Sequence, residues 1–265
     1  MDDSGEYRRI AVFGGVYSNY LALEATLADA GGRGAEAVFC LGDMGAFGPH
    51  PDRVFPLLKA GKVLAIQGNY DESLAMGKED CGCGYTDPRD NHFARLSYAY
   101  TVRNTAPENT AWLGRLPRQR RMRLGRYRTL LCHGSPRRIN EFLWESATPN
   151  GLIEKFLREY RADAILCTHT GIKWHRILAD DHHLVNIGAI GRPENDGTTV
   201  VWYALLTAED DLRVEFIPVA YDHEALACEM EHEGLPYEFA ETIRTGWWTT
   251  CLEILPAKER ARGKY

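Results

Sequence analysis

The sequence predicts an α/β protein with a largely parallel sheet, and two observations carry the prediction. Short apolar runs recur along the chain, and each stops at a glycine or threonine turn that delivers a polar side chain. Between them lie stretches with helical spacing. Runs apolar on both faces are the mark of buried parallel strands, and open α/β sheets place their binding groups beyond the carboxyl ends of such strands. Ala37 to Leu41 leads into Gly42-Asp43, Val63 to Gln67 into Gly68-Asn69-Tyr70-Asp71, Tyr127 to Cys132 into His133-Gly134-Ser135-Pro136, and Ala164 to Cys167 into Thr168-His169-Thr170-Gly171.

Taken in order, Arg8 to Phe13 reads as the first strand, and Leu21 to Ala30 as a helix closed by Gly31-Gly32. After Asp43 a Gly/Pro loop carrying His50 enters a helix around Asp52 to Ala60. Asp71 to Asn91 reads as irregular and contains Cys81-Gly82-Cys83. His92 to Asn104 and Pro107 to Leu116 are helical, and Arg121 to Leu124 with Tyr127 to Cys132 forms a hairpin across Gly125-Arg126. Glu141 to Trp144 and Leu152 to Tyr160 carry helical patterns. Strands then return at Trp174 to Leu178, Leu184 to Ile187, Thr198 to Leu206 and Leu212 to Val219, with His182 and His183 expected at a solvated hairpin tip. Glu224 to His232 and Pro236 to Arg244 are the last helices. Trp247-Trp248 and Cys251 to Pro256 form an apolar tail expected to dock on the body or on a second subunit.

With 265 residues, of which 45% are hydrophobic, the chain can fill one large core but not two complete ones. The expected organisation is one domain over residues 7–235 and a C-terminal extension over residues 236–265. A net charge of −6 gives no basic footprint for duplex nucleic acid or an anionic membrane. No stretch approaches the length of a membrane span, and Met1 to Glu6 lacks an apolar leader core, so a cytoplasmic location is expected. Seven cysteines, three of them inside core strands, argue against a disulfide framework.

Asp43, Asn69, His133 and His169 thus end four strands. A carboxylate, an amide oxygen and two imidazoles suit a borderline divalent ion such as Mn, Fe, Zn or Ni better than Ca or Mg. At least one such ion is expected across the strand ends. The Cys81/Cys83 pair could reach a soft metal from its loop, or could be structural.

Gly42-Asp43, Gly68-Asn69-x-Asp71, His133-Gly134-Ser135-Pro136, and His169 with Asn186-Ile187-Gly188 and Gly191-Arg192-Pro193 together resemble the calcineurin-like metallophosphoesterases, especially the small bacterial phosphodiesterase branch. The resemblance runs from about Arg8 to Leu235. It implies a four-layer α/β/β/α sandwich of two mixed sheets, and two metal ions that share a bridging aspartate and activate the attacking hydroxide. Asp43 falls on the bridge, and Asn69, His133 and His169 fall on the second ion. The Asp-x-His of the first motif falls instead on Gly15 and Tyr17, and the last histidine of Gly-His-x-His falls on Gly171, so three ligands of the first ion are missing. Tyr17, His175 or the Cys81/Cys83 loop could replace them. Tyr70 stands where many relatives carry a histidine that assists the leaving group, which favours a diesterase over a monoesterase.

The reading is a metal-dependent phosphoesterase acting on a small phosphodiester, with Asp43, Tyr70 and His133 at the chemistry. Asn19, Tyr70, Arg137 and Arg138 are expected to meet the substrate. Its rivals are a catalytically silent scaffold of the same fold and a rebuilt metal centre. A homo-oligomer through Trp247-Trp248 is a further expectation.

Overall fold

The strands that the apolar runs form are apolar on both faces because each sheet is covered twice. The computed structural model describes residues 5–264, so most of the expected polar N-terminal segment lies outside the described residues. A five-stranded sheet has the order β11-β10-β2-β3-β4, built from β2 (Arg9–Phe13), β3 (Ala37–Cys40), β4 (Leu64–Ala65), β10 (Val201–Ala208) and β11 (Leu212–Val219). A six-stranded sheet has the order β1-β5-β6-β7-β9-β8, built from β1 (Glu6–Tyr7), β5 (Gln119–Leu124), β6 (Tyr127–Cys132), β7 (Ala164–Cys167), β8 (Lys173–Ile177) and β9 (His183–Ile187). Both sheets are mixed: β2, β3 and β4 run parallel, as do β6, β7 and β9, and β1 with β5, while β5 is antiparallel to β6, and β10, β11 and β8 pair antiparallel with their neighbours.

Alternation along the strands sorts their side chains into three layers. Ile10, Val12, Phe39, Leu41, Leu131, Leu166, Val185, Ile187 and Leu206 meet between the sheets. The opposite faces of the same strands pack on helices. Leu130, Cys132, Ile165 and Cys167 bury Ile153, Phe156 and Leu157 of α6 (Asn150–Glu159). Ala11, Phe13, Tyr203 and Leu205 lie in the layer that holds α1 (Tyr20–Gly32), α2 (Val54–Ala60), α7 (His223–His232) and α8 (Tyr237–Thr245). The result is the four-layer α/β/β/α sandwich. Each fully buried Leu, Ile or Phe contributes about 2 kcal/mol, so Phe39→Ala in the central layer costs about 3–5 kcal/mol.

Two segments depart from the sequence expectation. Asp71 to Met76, read as the start of an irregular stretch that ran to Asn91, belongs to a helix, α3 (Asn69–Met76). Its signals are local: the Asp71 carboxylate accepts the Gly68 N–H at the N-terminus, and Gly77 ends the helix at φ +61°. Glu141 to Trp144, read as helical, is irregular. Phe142 stacks between Tyr85 and Trp144 there, and those ring contacts hold the segment open. The chain between α3 and β5 supplies α4 (Pro88–Asn104), capped by Asp87, and α5 (Pro107–Leu113).

After α8 the tail lies on the chain's own body. Trp248, Leu252 and Leu255 join Trp144 and Ile172 in a fourth small core, followed by α9 (Ala257–Arg260). Among the described residues no helix is long and apolar enough to cross a membrane.

Candidate metal centre

The carboxyl ends of parallel strands from both sheets meet at one end of the sandwich, and the four expected ligands come together there. Asp43 follows β3, Asn69 is the first residue of α3 after β4, and His133 and His169 follow β6 and β7. All four are buried. The loops after β3 and β4 can touch because both carry glycine: a Cβ on Gly42 would lie 2.3 Å from the Gly68 nitrogen, and one on Gly68 would lie 2.2 Å from Asp43 Oδ1.

His133 Nε2 lies 3.2 Å from Asp43 Oδ2, 3.0 Å from Asn69 Oδ1 and 3.2 Å from His169 Nδ1. Three of the four residues are held in place from behind, while His169 Nε2 is buried without a hydrogen-bond partner. His133 Nδ1 donates to the Leu41 carbonyl at 2.6 Å, which fixes that proton and leaves a lone pair on Nε2 of the neutral ring. Asn69 Nδ2 donates to the Cys81 carbonyl at 2.9 Å and lies 3.4 Å from Cys83 Sγ, turning Oδ1 inward. Asp43 Oδ1 accepts the Tyr70 N–H at 3.0 Å. Asp71 fastens the whole corner: its carboxylate accepts the N–H groups of Asp43 at 2.7 Å, Gly68 at 2.8 Å and Met44 at 3.0 Å. Burial and the nearby Asp43 charge nonetheless push Asp71 up to about 6.

Four lone-pair atoms thus face one another in a buried space. One extra proton on His133 satisfies one of these contacts, whereas a divalent ion satisfies all four. Ligand atoms about 2.0–2.2 Å from one ion lie about 3 Å apart when at right angles, which is the separation found around His133. The electrostatics agree. Burial disfavours charge on both Asp43 and His133, yet His133 holds the Asp43 carboxyl below its usual value and Asp43 raises His133 above its own. Burial and then His133 push His169 down to about 3, so this imidazole stays neutral and able to donate its lone pair. The Phe142 ring, 4.3 Å away between centroids, covers it.

The other expected residues fall differently. Tyr17 lines the same cavity as Asp43 and His169, and burial pushes its phenol well above the usual value, so without an ion it is a neutral phenol. His175 is not at the site: it sits on β8, with Nε2 3.0 Å from Nδ1 of His183. His183 is buried at the start of β9 beside Asp181, not at a solvated tip. Cys81 and Cys83 are joined as a disulfide, the other five cysteines being free, and a disulfide offers no thiolate. Cys83 still lines the cavity. Asn19 is a structural residue: Oδ1 caps α1 at the Ala22 N–H, 3.0 Å, and Nδ2 donates to the Gly191 carbonyl at 3.2 Å. Tyr70 lines the cavity, with its hydroxyl 3.0 Å from Ser97 Oγ and its pKa raised by burial, so it is no proton donor of useful acidity at neutral pH. Arg137 pairs with Glu141 and lies over Phe156 on the surface. With Arg138 it borders a separate hollow beyond His133, away from Asp43. Sequence reasoning gave no role to Asp71, Phe47, Tyr85, Cys251 or Arg192. Asp71 was within reach through its helix-capping position.

A two-sheet sandwich with this strand-end cluster defines a class of protein. The chain matches the calcineurin-like phosphoesterase superfamily domain over residues 9–211 and belongs to that family. It is 26% identical over 251 residues to the uncharacterized protein MJ0912 of Methanocaldococcus jannaschii, covering 89% of this chain and 98% of that one. Its fold is similar to a metallophosphoesterase from Sphaerobacter thermophilus, at 24% identity and a TM-score of 0.70 over 90% of this chain and 99% of the other. The hypothetical protein PH1004 from Pyrococcus horikoshii OT3 is similar at 23% identity and a TM-score of 0.76, over 91% and 99% of the two chains.

Proposed function

We propose that this protein is a metal-dependent phosphodiesterase that works with one tightly held divalent transition ion. The observation that carries the reading is the convergence of Asp43 Oδ2, Asn69 Oδ1, His133 Nε2 and His169 Nδ1 with no donor of their own to separate them. Mn, Fe, Zn or Ni fits this donor set. When bound, the ion supplies a Lewis acid for the phosphoryl oxygen and lowers the pKa of a coordinated water. The protein's part is positional. Leu41 and Cys81 aim the nitrogen and oxygen ligands through their carbonyls, Asp71 holds the Asp43 loop, and Phe142 with Trp144 keeps bulk water from His169. The cavity wall of Phe47, Tyr70, Tyr85, Phe93 and Phe239 suits the apolar part of a small phosphodiester.

A silent scaffold is the second reading, favoured by Tyr17 and Gly171 standing where the resemblance places further ligands. Metal analysis separates the two. Protein purified without added metal is expected to carry one ion per chain, and Asp43→Ala and His169→Ala are expected to lose both the ion and hydrolysis of a chromogenic aryl phosphodiester. Unchanged metal in both variants defeats the site, and a metal-loaded but inert wild type favours the scaffold.

A further inference from the structure

Arg192 is 7% exposed and lines the cavity that also holds Asp43 and His169. Its guanidinium lies 3.6 Å over the Trp248 ring and 5.8 Å from the Phe47 centroid. Its Nε is buried without a hydrogen-bond acceptor, and Arg192 makes no ion pair among the described residues. A guanidinium this buried, stacked on aromatic faces and hydrogen-bonded to no carboxylate, is costly; the Asp90 carboxylate feels its charge without pairing with it. Trp248 is itself fixed: its indole N–H donates to the Pro193 carbonyl at 2.8 Å, and its backbone N–H donates to Asn195 Oδ1 at 2.9 Å. The guanidinium is therefore presented, not merely tolerated.

Its neighbours explain how it fits. A Cβ on Gly171 would lie 3.5 Å from Arg192 Nη2 and 3.3 Å from Trp248, so a larger side chain at that position would crowd the guanidinium. The Tyr17 ring lies over Gly15, where a Cβ would come within 2.6 Å of it.

Resting on the single-ion reading above, we propose that Arg192 is an anion-binding residue that grips a phosphoryl oxygen of the substrate in the cavity it shares with Asp43 and His169, beside Gly171. A planar guanidinium matches two phosphate oxygens at once, which a point charge does not.

The test uses the full chain, inorganic phosphate as the probe, and titration calorimetry on metal-loaded and chelated protein. Hydrogen bonds to charged groups of this kind correspond to an affinity change of about 10- to 100-fold, so Arg192→Ala is expected to weaken phosphate by that factor while the metal content stays at one ion. Arg192→Lys is expected to recover part of the loss. Arg192→Gln, which keeps length and packing, reports the charge alone should the alanine variant fold poorly. Undiminished phosphate affinity in Arg192→Gln with one ion bound overturns the role of Arg192 and leaves the metal centre standing. A wild type that binds no ion but still loses phosphate on Arg192→Gln overturns the single-ion reading and keeps the anion site. Uptake of two ions by the wild type overturns the inference.

Discussion

On the side of Asp43 that faces β6 and β7, the side-chain atoms that meet at His133 are lone-pair donors: Asn69 Oδ1, His133 Nε2 and His169 Nδ1. On the side formed by the loops after β2 and β9 and by the far end of the loop after β7, the groups are Tyr17, the Arg192 guanidinium and the bare backbone of Gly171. One half is built to take up a cation, and the other carries its own. The difference follows from what each half must do when empty. Ligand atoms can be held by carbonyls and backbone N–H groups until an ion arrives, whereas a guanidinium needs no ligands and so releases positions 15 and 171 to glycine. In the two-ion arrangement implied by the resemblance, two divalent ions and two carboxylates leave roughly two positive charges before the phosphate. One divalent ion, Asp43 and Arg192 leave the same.

Asp71 joins the halves, and breaking it should have the largest effect. Asp71→Ala orphans three buried N–H groups, those of Asp43, Gly68 and Met44, at about 1 kcal/mol or more each. Loss of about 3 kcal/mol or more in urea denaturation is expected, with metal and phosphate binding failing together. A variant that loses only one of the two functions would show that the Asp43 loop is not shared between them.

Trp248→Phe separates the halves more gently. It keeps an aromatic face under Arg192 but removes the indole bond to the Pro193 carbonyl, which corresponds to about 1–2 kcal/mol of stability. Phosphate affinity should fall by a few fold, with metal content unchanged. Metal loss in this variant would tie the C-terminal tail to the ligand half instead.

The two halves were unequally legible in the sequence. Asp43, Asn69, His133 and His169 each follow an apolar run, and a strand end is a local signal that needs no knowledge of distant contacts. Arg192 has no such local signal of a role, although Gly191-Arg192-Pro193 carried part of the family resemblance. Its Gly-Arg-Pro setting reads as a loop, and only the folded tail, with Trp248 laid against it, makes it a buried cation. His175 and Asn19 failed for a related reason: strand β8 turns His175 toward His183, and the start of α1 claims Asn19 as a cap. The buried parallel strands were legible, because a run that is apolar on both faces is a property of each strand alone, whereas the pairing of two mixed sheets into a sandwich came from the family resemblance. The Phe142 and Trp144 stack that opens Glu141 to Trp144 is not.

Tyr17→Phe sharpens the boundary of the ligand half. A neutral phenol that is not a ligand contributes at most one hydrogen bond, so the variant should keep its ion and lose less than about 1 kcal/mol of phosphate affinity. Metal analysis and the same phosphate titration check it. Loss of the ion would make Tyr17 a ligand after all.

His175, which belongs to neither half, gives the smallest effect and a control for both. Burial, and then His183, push it down to about 4, and burial chiefly lowers His183 as well. An unfolded histidine titrates near 6.5, so below that pH the unfolded chain takes up protons that the folded pair refuses, and stability falls as the pH drops from about 6.5 toward 4. Asp181 and Arg126 also face the pair, and partial exposure screens the loss. Between about pH 7.5 and pH 5.5 the wild type should therefore lose more melting temperature than His175→Gln, in which only His183 remains to be protonated. At the higher pH the variant should match the wild type in metal content and phosphate affinity. Equal slopes in the two proteins would remove the pair from the pH response, and a lost ion would bring His175 into the centre from which its bond to His183 holds it away.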